Sequence, residues 1–133
     1  MTESFSAMIV GAGAWGTAIA SVFARGGNET LLWDRDRDTI EAIMSSGSHP
    51  KFFGGKKLHS GIELVPELGN DLSIDYIIFV VPFQRLRSAM ATIHKSEVQF
   101  TGVVCASKGL ELESNALAHQ IARDVFGASV PFA

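Results

Sequence analysis

Three glycines near the start of the chain have a spacing that suits the binding of phosphate groups. They lie in the segment Gly11-Ala12-Gly13-Ala14-Trp15-Gly16, which has the G-x-G-x-x-G spacing. Gly11 would permit a tight turn, Gly13 would let phosphate oxygens approach the backbone, and Gly16 would let a helix pack closely on a strand. The unpaired N–H groups and the positive dipole end of that helix attract an anion. The segment therefore predicts a pyrophosphate site of the kind that binds dinucleotides.

A charged segment farther along the chain offers two opposite ways of holding the adenosine end of a dinucleotide. Dinucleotide-binding segments with this glycine spacing also require an acidic residue about 20 positions after the glycines, which binds the ribose. Asp34 lies 18 residues after Gly16 and meets this requirement. Its neighbours Arg35 and Arg37 could instead bind a 2′-phosphate, which Asp34 would repel. These residues leave the choice between NAD and NADP open.

The elements that position these residues can be predicted from apolar segments. The apolar run 7–10 ends directly at Gly11 and is typical of a buried parallel strand. A helix is predicted next, ending at Gly26-Gly27. Its apolar stripe consists of Trp15, Ile19, Val22 and Phe23.

The same alternation of strand and helix continues almost to the end of the chain. Further strands are predicted at 30–33, 62–65, 76–81 and 103–106, and further helices around 40–44, 86–93 and 117–125. Asp36 or Asp38 would cap the second helix, whose inner face would be Ile40, Ile43 and Met44. Residues 45–60 are typical of a surface loop, and 130–132 of a sixth strand that has barely begun. The pattern predicts an α/β fold: a Rossmann-type doubly wound parallel sheet, truncated before or within the sixth strand.

Composition limits the number of domains and the class of partner. The 133 residues, 47% of them hydrophobic and 19% charged, suit one domain with one core, spanning 1–133. The formal net charge of −3 argues against nucleic acid or an acidic membrane as the partner. The apolar run 76–83 is far shorter than the ~20 residues that span a bilayer. A small-molecule site is therefore expected.

Cysteine and histidine usage argues against disulfide and metal chemistry. Cys105 is the single cysteine, so no intramolecular disulfide forms, and a reducing compartment, the cytoplasm, is expected. The histidines have no ligand spacing and are interpreted as structural or surface residues; they are His49, His59, His94 and His119. No metal site is predicted.

Four segments resemble the NAD(P)-dependent glycerol-3-phosphate dehydrogenases. They are Gly-Ala-Gly-Ala-Trp-Gly-Thr-Ala at 11–18, Leu32-Trp33 with Arg35-Asp36, Val-Val-Pro-Phe-Gln at 80–84, and Ser-Lys-Gly-Leu-Glu at 107–111. Their order and spacing match the family over nearly the whole chain. The first segment is shared with many dehydrogenases, whereas the last is the specific one.

The resemblance implies roles for individual residues. In the family, the residues at Ala14 and Trp15 touch the cofactor phosphates, and the one at Arg35 lies by the adenosine end. The residue at Lys108 contacts both cofactor and substrate. Lys108 also follows the carboxyl end of a predicted central strand, where open parallel sheets bind ligands. A flexible cation there suits a substrate with a phosphate and a polarised carbonyl.

Two aromatic residues stand where the family has other residue types. In the loop segment His49–Gly54, Phe52 replaces the usual tyrosine and would offer a face to the cofactor or pack within the loop. Phe83 replaces a small serine and would line the nicotinamide side or cover the core. Both are candidate cofactor contacts.

The resemblance implies that the chain is the cofactor domain of a longer parent enzyme, as an excised piece or a truncated product. The parent would transfer hydride between NAD(P)H and dihydroxyacetone phosphate, giving sn-glycerol 3-phosphate for phospholipid synthesis, and would be a homo-oligomer. Lys108 would stabilise the developing alkoxide and orient the phosphate. The general base would lie in a second, mostly helical domain, so the chain alone is expected to be inactive. Alternatives are a dehydrogenase of another small hydroxy or keto acid, or a non-catalytic NAD(P)-sensing module.

Overall fold

A computed structural model describes residues 3–133, and its strands form one parallel sheet. The strands are β1 (Ser6–Val10), β2 (Glu29–Trp33), β3 (Ile62–Leu64), β4 (Ser73–Phe79) and β5 (Gln99–Cys105). The helices are α1 (Ala14–Arg25), α2 (Arg37–Ser46), α3 (Leu86–Ser96) and α4 (Ala118–Phe126). The strand order is β3-β2-β1-β4-β5, and every pairing is parallel. The predicted doubly wound sheet is confirmed.

The strand order reverses at β1, which has β2 on one side and β4 on the other. The last residue of β1, Val10, pairs with Trp33 of β2 and with Phe79 of β4. The segments that follow these three strands therefore meet at one edge of the sheet. In open parallel sheets this switch point forms the crevice that binds ligands.

The sheet has a separate apolar core on each face, because successive side chains of a strand point to opposite sides. On one face, β1 packs with α1 and α2, and the buried residues include Ala7, Ile9, Ala20, Ala24 and Ile40. On the other face, β1 packs with α3 and α4, and the buried residues include Met8, Val10, Leu86, Met90, Ile93 and Ile121. Helices therefore cover both faces of the sheet and flank the edge at which the crevice lies.

The apolar stripe predicted for α1 is only partly its buried face, since Ile19 and Phe23 pack half-buried against the core but the other two members do not. Trp15 and Val22 are each 65% exposed, and the buried residues of the helix are Gly16, Thr17, Ala20 and Ala24. The helix begins at the glycine turn and lies so close to the sheet that only small side chains fit beneath it. Among residues 3–133, no helix combines the length and the apolar character that a membrane crossing requires.

The start of α2 confirms one of the two predicted caps. Asp36 is the N-cap, and its carboxylate accepts from the Thr39 hydroxyl at 2.9 Å and the Thr39 N–H at 3.4 Å. Those two hydrogen bonds lower the pKa of Asp36. Ile40 and Ile43 are buried as predicted, but Met44 is 52% exposed and its predicted place on the inner face was wrong.

Backbone pairing extends two strands beyond their apolar segments. β4 and β5 both start earlier than predicted because Ser73 pairs with Gln99 in the parallel ladder. The predicted sixth strand is also present at its beginning: Phe132 forms a parallel bridge with Val103. The Ala133 N–H donates to the Val103 carbonyl at 2.9 Å. The last residues described therefore lie beside β5 as a further strand would.

Candidate functional site

A cleft of about 290 Å³ opens at the carboxyl ends of β1, β2 and β4. Four predicted site residues line it: Gly11, Gly13, Asp34 and Arg35. The turn after β4 and the start of α3 form the opposite wall, with Val81, Pro82, Arg85 and Ala89. The cleft thus lies at the switch point and combines apolar walls with a few polar groups, as small-molecule sites do.

Gly11 and Gly16 are required by the packing of the protein itself. Gly11 has a φ of +120°, and a Cβ there would lie 2.2 Å from the carbonyl oxygen of Val80. A Cβ at Gly16 would lie 1.8 Å from the carbonyl oxygen of Gly11. Neither position accepts a side chain unless the backbone shifts. The tight turn and the close approach of α1 agree with the sequence-based reasons for these two glycines.

Gly13 is required neither by its conformation nor by its neighbours. Its φ of −74° and ψ of −173° suit any residue, and a Cβ there would meet no atom within 4 Å. The residue borders the cleft, so that open space belongs to the cleft. A glycine with nothing packed against it leaves room for a ligand to approach the backbone closely.

The amino end of α1 carries the charge character that an anion requires. Gly13 is the N-cap, no side chain caps the helix within the described residues, and the first turn contains no acidic residue. The N–H groups at a helix start have no partner within the helix, and the dipole places partial positive charge there. Ala14 and Trp15 begin the helix at this point, and Trp15 is exposed. The turn and the helix end together fit a pyrophosphate.

Asp34 is held in place by the backbone on both sides of its carboxylate. Its Oδ2 accepts from the Ala12 N–H at 2.7 Å, and its Oδ1 accepts from the Asp36 N–H at 2.8 Å. Each carboxylate oxygen has a further lone pair, so a ribose hydroxyl can still donate to it. Arg35 is exposed at the rim of the same cleft. Arg85, to which sequence reasoning assigned no role, lines the cleft from the other wall.

Lys108 is exposed and follows β5, which is the outermost of the five strands and not a central strand as predicted. The preceding Ser107 ties this segment to the end of β4, since its hydroxyl accepts from the Val81 N–H at 3.1 Å and donates to the Val81 carbonyl at 2.5 Å. Val81 lines the cleft, whereas Lys108 itself is not among the lining residues. Lys108 therefore lies at the same edge of the sheet as the cleft, beyond its wall.

Two side chains that sequence reasoning missed hold the remainder of the Lys108 loop. Gln84 donates to the Leu110 carbonyl at 2.8 Å and accepts from the Leu112 N–H at 3.0 Å. Arg87 donates to both carboxylate oxygens of Glu111, at 2.9 and 3.1 Å. The hydrogen bonds from Arg87, and after them the one from the Ser114 hydroxyl, lower the pKa of Glu111. The sequence signal of Gln84 and Arg87 is the i, i+3 spacing of two polar residues a few positions after a buried strand.

The two aromatic candidates lie outside the cleft lining. Phe83 is 9% exposed and belongs to the core on the α3 face, and its ring lies 3.3 Å from where a Gly109 Cβ would be. This burial supports the alternative that it covers the core. Phe52 is 38% exposed, and its ring centroid lies 4.8 Å from that of His49. A cofactor contact by either ring stays a prediction.

The cysteine and the histidines were not predicted to do chemistry, and two of them, Cys105 and His49, lie partly or fully buried. Cys105 is half-buried at the end of β5, and its burial raises the pKa of the thiol. Within residues 3–133, no cluster of three or more His, Cys, Asp and Glu side chains could hold a metal ion. His49 is 4% exposed, and its Nε2 lies 2.7 Å from the carbonyl oxygen of Ala12 in the glycine turn.

Comparisons with known proteins identify relatives over almost the whole chain. The family model described as the NAD-dependent glycerol-3-phosphate dehydrogenase N-terminus matches residues 6–133. A glycerol-3-phosphate dehydrogenase [NAD(P)+] of Xanthomonas campestris is 32% identical over 126 residues, which are 94% of this chain and 37% of the relative. That of Maridesulfovibrio salexigens is 37% identical over 114 residues, 85% of this chain and 35% of the relative.

A solved structure shows the same fold. The crystal structure of glycerol-3-phosphate dehydrogenase from Coxiella burnetii matches with a TM-score of 0.85 and 25% identity. The match covers 97% of this chain and 39% of that protein. The chain therefore spans little more than a third of the length of these relatives.

Proposed function

This chain belongs to the NAD-dependent glycerol-3-phosphate dehydrogenase family, matching its N-terminal part, and from that premise we propose that it binds the dinucleotide of an oxidoreductase interconverting dihydroxyacetone phosphate and sn-glycerol 3-phosphate. The observation that carries this proposal is the open face of Gly13 at the uncapped start of α1. The family description and the names of the curated relatives confirm the prediction of NAD or NADP as the cofactor.

The glycine turn would bind the pyrophosphate. In this proposal the backbone N–H groups of Ala14 and Trp15 donate to the phosphate oxygens, because they stand at the open start of α1. Gly13 contributes only the absence of a side chain. Binding to backbone groups costs no side-chain entropy and holds the cofactor at the carboxyl edge of the sheet.

The end of β2 would bind the adenosine. Asp34 would accept hydrogen bonds from the ribose, and Arg35 would lie beside it and donate to a 2′-phosphate where one is present. The apolar wall formed by Val81, Pro82 and Ala89 offers a surface for the adenine ring. Both ends of the adenosine diphosphate would then contact residues of this one cleft.

Lys108 would act on the substrate. When bound, the nicotinamide supplies the hydride, and the ammonium of Lys108 would stabilise the alkoxide that develops on the substrate carbonyl and hold the phosphate. Ser107 keeps the Lys108 segment beside the end of β4 through both of its hydrogen bonds to Val81. We place the group that transfers the proton outside the present sequence, in a helical domain of the longer protein.

The proposal also covers the compartment, the oligomeric state and the product of the full-length protein. A single cysteine, Cys105, suits a reducing compartment, and we propose the cytoplasm. The family resemblance supports a homo-oligomer and a product used in phospholipid synthesis. Size measurement by light scattering of the full-length protein tests the oligomer, and a monomer would contradict it.

Substitution of Gly13 by valine tests the cofactor site. The side chain would enter the space where the pyrophosphate must lie, so we expect binding of NADH and NADPH to weaken at least tenfold, or about 1.4 kcal/mol. The melting temperature should stay close to that of the wild type, because a Cβ there meets no protein atom within 4 Å. Calorimetric affinities that are unchanged in Gly13→Val would contradict the proposal.

The substrate class needs a separate measurement on the longer gene product. We expect oxidation of NADH or NADPH with dihydroxyacetone phosphate and none with small keto acids. The reverse preference would indicate a dehydrogenase of another hydroxy acid. Cofactor binding without turnover of any of these substrates would indicate a sensing module.

A further inference from the structure

His49 is buried although the loop that carries it is mostly exposed. The residue is 4% exposed, whereas most residues of the loop 47–58 face solvent. Its Nδ1 accepts from the N–H groups of Lys51, at 3.0 Å, and Phe52, at 3.3 Å. A ring nitrogen that accepts carries no proton, so the proton of the neutral ring lies on Nε2. Nε2 therefore donates to the Ala12 carbonyl at 2.7 Å.

Side chains from two other parts of the chain hold Ala12 from its two sides. Its N–H donates to Asp34 at 2.7 Å, and its carbonyl accepts from His49 at 2.7 Å. The preceding Gly11 N–H donates to the Trp33 carbonyl at 2.9 Å. Contacts from the end of β2 and from the loop after α2 thus support the glycine turn.

The direction of the Ala12 carbonyl determines how the turn presents its donors. A peptide unit is planar, so fixing the Ala12 carbonyl also fixes the direction of the Gly13 N–H. Glycine-rich segments otherwise sample many conformations. A ligand that binds only one of them has an apparent Kd raised in inverse proportion to that conformer's population.

We propose that His49 is a positioning residue for the cofactor: its hydrogen bond to the Ala12 carbonyl holds the glycine turn in the conformation that receives the pyrophosphate. The proposal rests on the proposed function, because it requires a dinucleotide to bind at this turn. It adds a residue that has no contact with the cofactor itself but determines how tightly the cofactor binds. The loop after α2 thereby becomes part of the cofactor site.

Two substitutions separate this role from simple support of the loop. His49→Asn keeps an acceptor near the position of Nδ1, so the Lys51 and Phe52 N–H groups retain a partner, but it is too short to reach Ala12. His49→Gln places an amide N–H near the position of Nε2, where it can still donate to the Ala12 carbonyl. Only the asparagine variant should lose the link to the glycine turn.

His59 provides a matched control in the same loop region. Its Nδ1 accepts from the Gly61 N–H at 3.0 Å, the same i, i+2 contact that His49 makes to Lys51. His59 is exposed. His59→Asn therefore makes the same chemical change without touching the glycine turn.

The test is calorimetric affinity for NADH and for NADPH, with a melting temperature for each protein. We expect His49→Asn to weaken both cofactors about tenfold, the effect of lowering the competent fraction of the turn to about a tenth. His49→Gln should restore binding to within about threefold of the wild type, a difference small against that tenfold loss. His59→Asn should bind as the wild type does.

Several outcomes would overturn the proposal. His49→Asn with wild-type affinities, even at a lower melting temperature, would show that the histidine only supports the loop. His49→Gln binding as weakly as His49→Asn would show that the hydrogen bond to Ala12 is not the cause. If the wild type binds neither cofactor, or Gly13→Val binds both normally, the proposed function itself fails and this inference fails with it.

Discussion

Two neighbouring residues of opposite charge, Asp34 and Arg35, follow the end of β2 and are the candidates for discriminating NADH from NADPH. The Asp34 carboxylate is held at the cleft by two backbone N–H groups and cannot turn away without losing them. A 2′-phosphate would meet this negative charge but would also meet the guanidinium of Arg35 at the same rim. In the proposed site, the balance between the two charges would set the preference for NADH or NADPH.

Substitution of Arg35 by alanine should weaken NADPH more than NADH. Only NADPH offers a 2′-phosphate to the guanidinium, and a charge-assisted hydrogen bond contributes about 1.5–3 kcal/mol, so a loss of about tenfold or more is expected for NADPH. NADH binding should change little. Arg37→Ala is the control, because Arg37 pairs with Glu41 at 2.8 Å and does not line the cleft. Equal losses for both cofactors in Arg35→Ala would place Arg35 away from the 2′ position.

Glu111 should make stability depend on pH in the acid range. Hydrogen bonds from Arg87 and then Ser114 lower its pKa below the ordinary 4.5, so the folded state favours the ionised form. That contribution is complete above the unfolded pKa and is lost as pH falls through the folded pKa. Glu111→Gln should therefore melt below the wild type at pH 7, and the gap should shrink as pH falls below about 4.5.

Melting curves from neutral to acid pH check this prediction for Glu111. Glu113→Gln is the matched control, since Glu113 is an exposed carboxylate two residues away. A gap between the wild type and Glu111→Gln that stays constant with pH would show that the ion pair with Arg87 does not stabilise the folded state.

At the scale of elements, the contact between α1 and the glycine turn decides where the cleft can form. The helix starts directly after β1 and lies against it with the backbone of Gly16 close to the Gly11 carbonyl. Its buried side chains are small, so the helix axis stays near the sheet and its amino end stays at the switch point. A larger residue beneath the helix would displace that end from the cleft.

Comparison of Gly16→Ala with Gly13→Ala tests this element contact. A Cβ at Gly16 would lie 1.8 Å from the Gly11 carbonyl oxygen, so we expect a loss of about 1–3 kcal/mol in the free energy of unfolding. The same change at Gly13 meets no atom within 4 Å and should cost less than about 1 kcal/mol, mostly through the helix cap. Urea unfolding measures both. Equal losses would show that α1 does not need the close approach.

At the scale of the whole molecule, the short segment 131–133 forms the edge of the sheet beside β5, and several large apolar side chains are exposed. The last residues pair with β5 through Val103, and a strand edge or an apolar surface tends to pair with another copy. The most exposed of the large apolar residues are Leu112 at 80% and Trp15 and Val22 at 65% each. The relatives are much longer, and this chain covers 37% of the one from Xanthomonas campestris.

A protein of these 133 residues should bind cofactor, self-associate and show no turnover. We place the general base outside this sequence, and a cofactor open to water cannot direct its hydride to the substrate. The assay is NADH oxidation with dihydroxyacetone phosphate, with light scattering on the same sample. Turnover of about 10 per second, as in ordinary dehydrogenases, would contradict the two-domain interpretation. A monodisperse monomer would contradict the expected self-association.

The sequence by itself determined the alternation of elements and the place of the glycine turn. Apolar runs of strand length, helical periodicity and the glycines between them are local patterns, and local patterns report backbone conformation and burial of nearby residues. The strand β1 and a cap of α2 at Asp36 or Asp38 were therefore predictable. The family resemblance pointed to Lys108 and Arg35 as candidate site residues for the same reason, since each lies in a continuous segment, and their roles stay predictions.

Only the tertiary structure decided which residues support those segments. His49 lies 37 positions from Ala12, Gln84 lies 26 positions from Leu110, and no periodicity connects residues so far apart. The buried face of α1 likewise depends on how closely the helix meets the sheet, and the apolar residues of the helix predicted that face only in part. Contacts between distant segments arise only when the sheet brings their ends to one edge, and for that reason the supports of this cleft became visible only in the folded chain.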